Sequence, residues 1–382
     1  MLNLKLFRFI LVIAAFSCSK FAWSYPNYIG HGYSSCLTCH YNPFGNGPLN
    51  DYGRAISATV ISTQFFSSDK KTDEQLSQSS AFFGKTPSNK WFRPSFDYRG
   101  LYLIRNFKEE QQDEDFIQMQ ADANVVFKFG ARDQLIFSGT LGYAPTPKGG
   151  ALESQPKYRT REHYIGWRPV SSFGIYAGLM DKIFGLRIPE HTAYSRSFTN
   201  LGMNDQAHGI QLHYTTEKID VGYNYFIGNL VQEADVRQVG HSGMFEYSFS
   251  KTLRLGASVL TSQSEYLKMT MAALHARAGI GKGSSIMFET GYVDRQTFKT
   301  GYYNMLQGYL RLSKGLYLIN TFEYQKEDTE SESELMRVGP GIQFFPSQRV
   351  EFRADLFNSR TYSPEYAVED VWDITAQLHL WF

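Results

Sequence analysis

Neither sign of charge is in excess in this sequence: 38 Lys and Arg stand against 37 Asp and Glu over 382 residues. That absence excludes a dedicated nucleic-acid binder, which needs a basic surplus to displace phosphate counterions. No apolar run near ~18 residues occurs beyond Phe16, so no transmembrane helix follows the N-terminus. Cysteine is scarce, with three residues, and proline numbers only 13. What is plentiful is aromatic side chains, 16% of the chain, and glycine, with 32 residues. Disordered chains lack aromatics. Many aromatics, many glycines and no long apolar run fit a large all-β protein, including one whose strands are apolar on one face only.

The first 24 residues read as an export signal. Lys5 and Arg8 flank the start of a short apolar core, Phe9 to Phe16, and Ala22-Trp23-Ser24 supplies a small-residue cleavage site. The core is too short to span a bilayer. Lipidation at Cys18 would need a better site than the preceding Ala15-Phe16 offers. Cleavage after Ser24 removes three basic residues and no acidic one, leaving 35 against 37, a net of −2. The expected compartment is the periplasm, the outer membrane or the exterior.

With Cys18 gone, two cysteines remain, in Cys36-Leu37-Thr38-Cys39-His40. This is the attachment pattern of a c-type haem. Two thiols at this spacing can each form a thioether to one haem vinyl group, and the adjacent His40 then serves as proximal iron ligand. The export signal agrees, because covalent attachment takes place outside the cytoplasm. A CxxC disulfide or redox pair is the competing reading. Half of a zinc site is another, but no second cysteine pair exists to complete it. One covalent haem c is therefore expected on Cys36, Cys39 and His40. His31, five residues before Cys36, is a local candidate for the distal position; a Met or His from elsewhere, including a lumen-facing histidine of the barrel, and an open position are the alternatives. The surrounding GHGYSSCLTCHYNPFGNGPLNDYGRA is rich in Gly, Asn and Pro and should wrap the group as loops and turns. Asp51 to about Ile61 reads as a short helix. Arg54 is a solvated surface residue or a partner of a haem propionate. Thr63 to Asn89 turns polar and reads as a tether.

From about Pro94 to Phe382 the pattern has period two. Ile219, Val221, Tyr223 and Tyr225 alternate with Asp220, Gly222 and Asn224; Val350, Phe352, Ala354 and Leu356 alternate with Glu351, Arg353 and Asp355. Such strands have one apolar and one hydrated face. A soluble sandwich alternates too. Three features favour a membrane barrel. Charges recur on the polar face of strand after strand, as a wet lumen requires. Short turns, such as Gly130-Asp133, Thr215-Lys218 and Pro346-Gln348, alternate with longer loops. Trp372, Ile374, Ala376, Leu378, Leu380 and Phe382 form an apolar stripe that ends the chain. That stripe with its terminal Phe resembles the assembly signal of bacterial outer-membrane barrel proteins. The count is about 16 strands, within a range of about 14 to 18. In lipid no strand edge is left unpaired, so the sheet must close. The fold class is an all-β, antiparallel, up-and-down transmembrane β-barrel with a small N-terminal haem-binding segment.

The chain thus divides into a signal peptide (1–24), a haem-binding segment (25–62), a polar linker (63–92) and an outer-membrane barrel (93–382). With long loops outside, both barrel ends face the periplasm, and the haem segment sits below the mouth or is drawn into the lumen. The longest loop, Ile183 to Gln206, carries Arg187, Glu190, His191 and Arg196. In porins, which this domain resembles by pattern, the third loop folds inward; a solvent-exposed loop is the alternative. By strand parity His163, His213, His275 and His379 point to the lumen. No His-Glu-x-x-His or Gly-x-Ser-x-Gly motif supports a metalloprotease or hydrolase, and no enzymatic role is expected, with a peroxidase-like haem the one exception left open.

The combination of Cys36-x-x-Cys39-His40 with the barrel pattern resembles outer-membrane porin–cytochrome conduits. The resemblance implies electron transfer at the Gram-negative outer membrane with a periplasmic or surface cytochrome, in contact with outer-membrane lipid and without nucleic acid. The chain departs from that pattern in having one haem motif, and one haem does not bridge an apolar band about 25 Å tall. The alternative is a porin-like diffusion channel whose N-terminal segment is a plug or gate.

Overall fold

The computed structural model describes residues 27–84, 89–108, 113–143, 158–188, 190, 192–296, 299–363 and 366–382; the expected signal peptide lies outside them. The period-two region forms β1 (Phe92–Arg105), β2 (Asp113–Phe129), β3 (Leu135–Tyr143), β4 (Tyr158–Arg159), β5 (His163–Val170), β6 (Phe173–Met180), β7 (Ala207–Thr215), β8 (Ile219–Phe226) and β9 (Val239–Ser250). It continues through β10 (Leu253–Gln263), β11 (Lys268–Gly281), β12 (Ser284–Arg295), β13 (Lys299–Ser313), β14 (Leu316–Lys326), β15 (Glu334–Ser347), β16 (Val350–Ser363) and β17 (Tyr366–Trp381). Each strand pairs antiparallel with its sequence neighbours, and β17 pairs with β1 from Asp97↔Trp381 to Ile104↔Ile374. The sheet is therefore a closed cylinder. β4 and β5 both pair with β3, so they are one interrupted pass, and the barrel has sixteen. The expected fold class and strand count are borne out. Among the described residues no helix is long and apolar enough to cross a membrane.

The barrel is inverted relative to a soluble protein. Along β10 the outward residues are Leu253, Leu255 and Val259, the last 58% exposed, while the inward Arg254 is 1% exposed. Trp167, Leu274, Ile342 and Phe352 continue the outward apolar surface. Inward-facing charges are buried and paired, as buried charges must be: Arg254 with Glu246 (3.0 Å) and Asp220 (3.3 Å), Arg353 with Asp355 (2.8 Å), and Arg337 with Glu323. Tyr225, Tyr292 and Tyr102 stand outward near the long-loop end, and Phe129, Phe249 and Phe352 near the short-turn end. These are the two aromatic girdles of a membrane barrel.

One parity expectation fails. His163 faces outward, exposed, with its ring 5.2 Å from that of His208. The cause is the interruption between β4 and β5: Arg161 and Glu162 are both buried, 3% and 1% exposed, so two successive residues point inward. A one-residue irregularity of this kind flips every side chain beyond it to the other face. His213, His275 and His379 do line the interior.

The polar segment after Thr63 is also no free tether. Thr63 N donates to Phe345 O (2.9 Å) and Phe65 N to Pro346 O (2.8 Å). A helix over Asp73–Ser79 starts with a capping box between Thr72 and Gln75. Gln348 reaches Ser79 Oγ at 3.1 Å, and Arg349 donates to Ser79 O and Ala81 O. The segment is fastened to the short-turn rim.

Candidate functional site: a CxxCH loop inside the barrel

Residues 27–62 occupy the lumen, entered from the short-turn end. Cys36–Thr38 is one 3-10 turn, closed by Cys39 N to Cys36 O (3.0 Å) and His40 N to Cys36 O (2.9 Å). Three residues apart on a helical turn, Cys36 and Cys39 share a face. The chain then reverses through Gly45, Asn46 and Gly47, with φ of 77°, 76° and 60°. Two glycines and an asparagine are the residues that tolerate this left-handed run. The reversal turns the carbonyls of Asn46 and Gly47 toward His40, whose Nδ1 lies 3.1 Å and 3.3 Å from them. Among the described residues His40 Nε2 has no hydrogen-bond partner. The ring is thereby held in the tautomer that leaves Nε2 as a lone-pair donor, the usual outer-shell arrangement of a metal-ligating histidine. Burial brings the His40 pKa down to about 4, so the imidazole is neutral at pH 7.

Asn50 ties the turn together. Its Oδ1 accepts from Gly53 N (2.8 Å) and caps the helix Asp51–Ile56, while its Nδ2 donates to Thr38 O at 3.1 Å. The helix continues as a π turn over Ser57–Ile61. Gly53 lets the helix lie on the motif: a Cβ there would stand 2.3 Å from Cys39 O. Sequence reading missed the Asn50 tie; an Asn directly before a helix start was its one signal.

The wall holds this segment all the way round. Arg93 Nε and Nη2 grip Asp51 at 2.7 and 2.9 Å from β1. Glu162 accepts from Asn42 (3.0 Å), Asp181 accepts from Asn46 (2.9 Å), and Arg254 donates to Ser34 O (2.7 Å). Phe44 packs on His213, rings 5.1 Å apart, and His31 Nε2 meets Tyr317 Oη at 2.8 Å. Arg54 is buried rather than solvated; it stacks 3.9 Å over Phe82 and donates to Phe382 O (3.2 Å).

Between segment and wall lies a cavity of about 1620 Å³, open solvent included. Cys36, Cys39 and His40 line it together. So do apolar Tyr28, Leu49, Ile56, Ile61, Phe345 and Trp381, and the cations Arg99, Arg161, Arg187, Arg196 and Arg277. Neither thiol is in a disulfide. Burial pushes Cys36 up to about 11 and Cys39 up to about 12, the opposite of the lowered thiol pKa of an exchanging redox pair. Among the described residues no cluster of three or more His, Cys, Asp or Glu completes a zinc site. Two free thiols, a histidine with its Nδ1 fixed, an apolar wall and guanidinium groups fit a haem and its two carboxylates. His31 does not line this cavity; His379 and Met203 do.

The long third loop also folds inward. Gly185 N donates to Ser258 Oγ (3.0 Å), Leu186 N to Glu289, and Tyr194 N to Glu323 Oε1 (2.8 Å). Glu190 pairs with Arg353, and Arg187 with Asp181. Leu186, Ile188 and Ala193 pack on Met287, Met305, Tyr309 and Ile319 of the wall. His191 lies outside the described residues.

No protein-family model matches the sequence, and no curated protein is similar to it. Solved structures are similar in fold. A loop-L8 deletion mutant of OmpT, an outer membrane protein of Vibrio cholerae, superposes with a TM-score of 0.58 at 12% identity, covering 76% of this chain and 99% of that one. The outer membrane channel DcaP of Acinetobacter baumannii gives 0.56 at 10% identity, covering 76% and 97%. An anion-selective porin from Comamonas acidovorans gives 0.56 at 10%, covering 76% and 99%. The fold in common is the porin-like barrel.

Proposed function

We propose that this protein is a porin-like barrel of the Gram-negative outer membrane whose channel is closed by its own N-terminal segment, and that this plug carries a covalent haem c. The observation that carries the reading is the ring of wall contacts around residues 27–62, reinforced by the third loop folded in above them. A lumen filled this way does not pass solutes freely. Single-channel conductance tests it: deletion of residues 25–89 should turn a nearly silent barrel into a conducting one, and unchanged conductance would defeat the plug.

A specific observation favours an electron-transfer role beside the plug. Cys36, Cys39 and His40 line one cavity with His40 Nε2 unbonded. These three residues would hold the haem, in a cavity whose lining includes the guanidinium groups of Arg99, Arg161, Arg187, Arg196 and Arg277. Bound there, haem supplies reversible one-electron oxidation and reduction. The cavity residues would orient the group. With short turns facing the periplasm, the segment stands at the periplasmic side of the lumen, within reach of a periplasmic cytochrome as partner. No enzymatic role is proposed. Haem staining of the mature protein on a denaturing gel decides whether the cofactor is present; an unstained band removes this part of the proposal and leaves the plugged channel.

A further inference from the structure

We propose that His379, on the last strand, is the distal ligand of the iron; this rests on the haem reading above. Sequence proximity favoured His31, but its Nε2 is bonded to Tyr317 and it stands outside the cavity. Of the described histidines, only His40 and His379 line the cavity that holds Cys36 and Cys39. The other lumen histidines are committed elsewhere: His213 Nε2 to Asp220 (2.8 Å) and His275 Nε2 to Glu246 (3.1 Å).

His379, which lines the cavity, differs in which nitrogen meets the carboxylate, Nδ1 rather than Nε2. Its Nδ1 lies 3.0 Å from Glu351 Oε2 on the neighbouring strand, and Glu351 in turn accepts from Gln343 Nε2 at 2.6 Å. Arg99 Nη2 is 3.3 Å from the same Nδ1. The shorter contact to a carboxylate places the proton on Nδ1, and among the described residues Nε2 has no hydrogen-bond partner. A carboxylate behind one ring nitrogen with the other left bare is the support that metal-ligating histidines carry. The pattern repeats at His40 with backbone carbonyls in place of the carboxylate. Met203 lines the cavity as well, and its thioether is the competing ligand.

Absorption and EPR spectra of the matured full-length barrel, with carbon monoxide added to the reduced form, test the assignment. The wild type should be six-coordinate and low-spin and show no carbon monoxide shift. H379A should become high-spin and bind carbon monoxide, and added imidazole should restore the low-spin spectrum. M203L should match the wild type. H379M, which keeps a ligand at the position, should stay low-spin with a methionine–iron charge-transfer band; heat-modifiable gel migration reports that each barrel is folded. A low-spin H379A, a five-coordinate wild type, or loss of the low-spin signal in M203L would overturn the proposal. A wild type without covalent haem stain would instead overturn the haem reading beneath it.

Discussion

Arg254 and Ser34 are 220 residues apart in the chain, yet Arg254 Nη1 donates to the Ser34 carbonyl at 2.7 Å. The same guanidinium pairs with Glu246 and Asp220, and Arg277 reaches the Ser34 carbonyl too, at 3.3 Å. Wall and plug are thus joined through one charge network beside the cysteine motif. Arg254→Ala should loosen the plug. Removing one member of a buried ion network costs about 3–5 kcal/mol, here spread between the plug and the local wall. Trypsin cleavage after Arg54 in the refolded protein should become fast while the barrel band stays intact; an unchanged cleavage rate would refute the coupling.

Gly53→Ala should act on the plug alone. The added methyl would stand 2.3 Å from Cys39 O and 2.9 Å from Cys39 Cα. Overpacking of this kind costs about 1–3 kcal/mol, and the helix Asp51–Ile56 must back away from the motif. Haem stain per unit of folded barrel should drop several-fold, while heat-modifiable migration on gels stays as in the wild type.

Acid should unseat the plug. Burial, with Arg311 nearby, lowers the His31 pKa from 6.5 to about 4. A histidine with a depressed folded-state pKa contributes stability that is present above about 6.5 and is lost as pH falls toward 4, because the unseated form takes up the proton first. At about 1.4 kcal/mol per pKa unit, the loss is on the order of 3 kcal/mol. Channel current in planar bilayers should rise between pH 6.5 and 4. His31→Gln keeps a hydrogen-bonding partner for Tyr317 without its titration, and its current should rise less over the same range, the remainder following His40.

Cys36→Ala with Cys39→Ala should abolish haem staining after denaturation and leave barrel insertion unchanged. Staining retained in the double variant would show that the thioethers are not the attachment.

The sixteen passes were legible because alternation is local and each strand declares its own apolar face. His163 was misplaced because a two-residue inward step at Arg161-Glu162 leaves no mark in a period-two count. The cysteine motif was legible as five consecutive residues. Its seat was not: Asn42 meets Glu162, Asn46 meets Asp181 and Ser34 meets Arg254 across 120, 135 and 220 residues, and no spacing rule connects such pairs. For the same reason the sequence points to His31, five residues from the motif, although His379 and not His31 lines the cavity. The rim contacts of the 63–84 segment were hidden by its polarity, which reads as solvation whether or not a strand end is there to accept it.

The pairing of the last strand with the first, from Asp97↔Trp381 to Ile104↔Ile374, imposes an order on biogenesis. Once that seam zips, the cylinder has no side door, and both thiols are inside. On the haem reading, a bulky group joined to Cys36 and Cys39 would be loaded while the N-terminal stretch is still an open polypeptide, before that stretch is seated in the lumen.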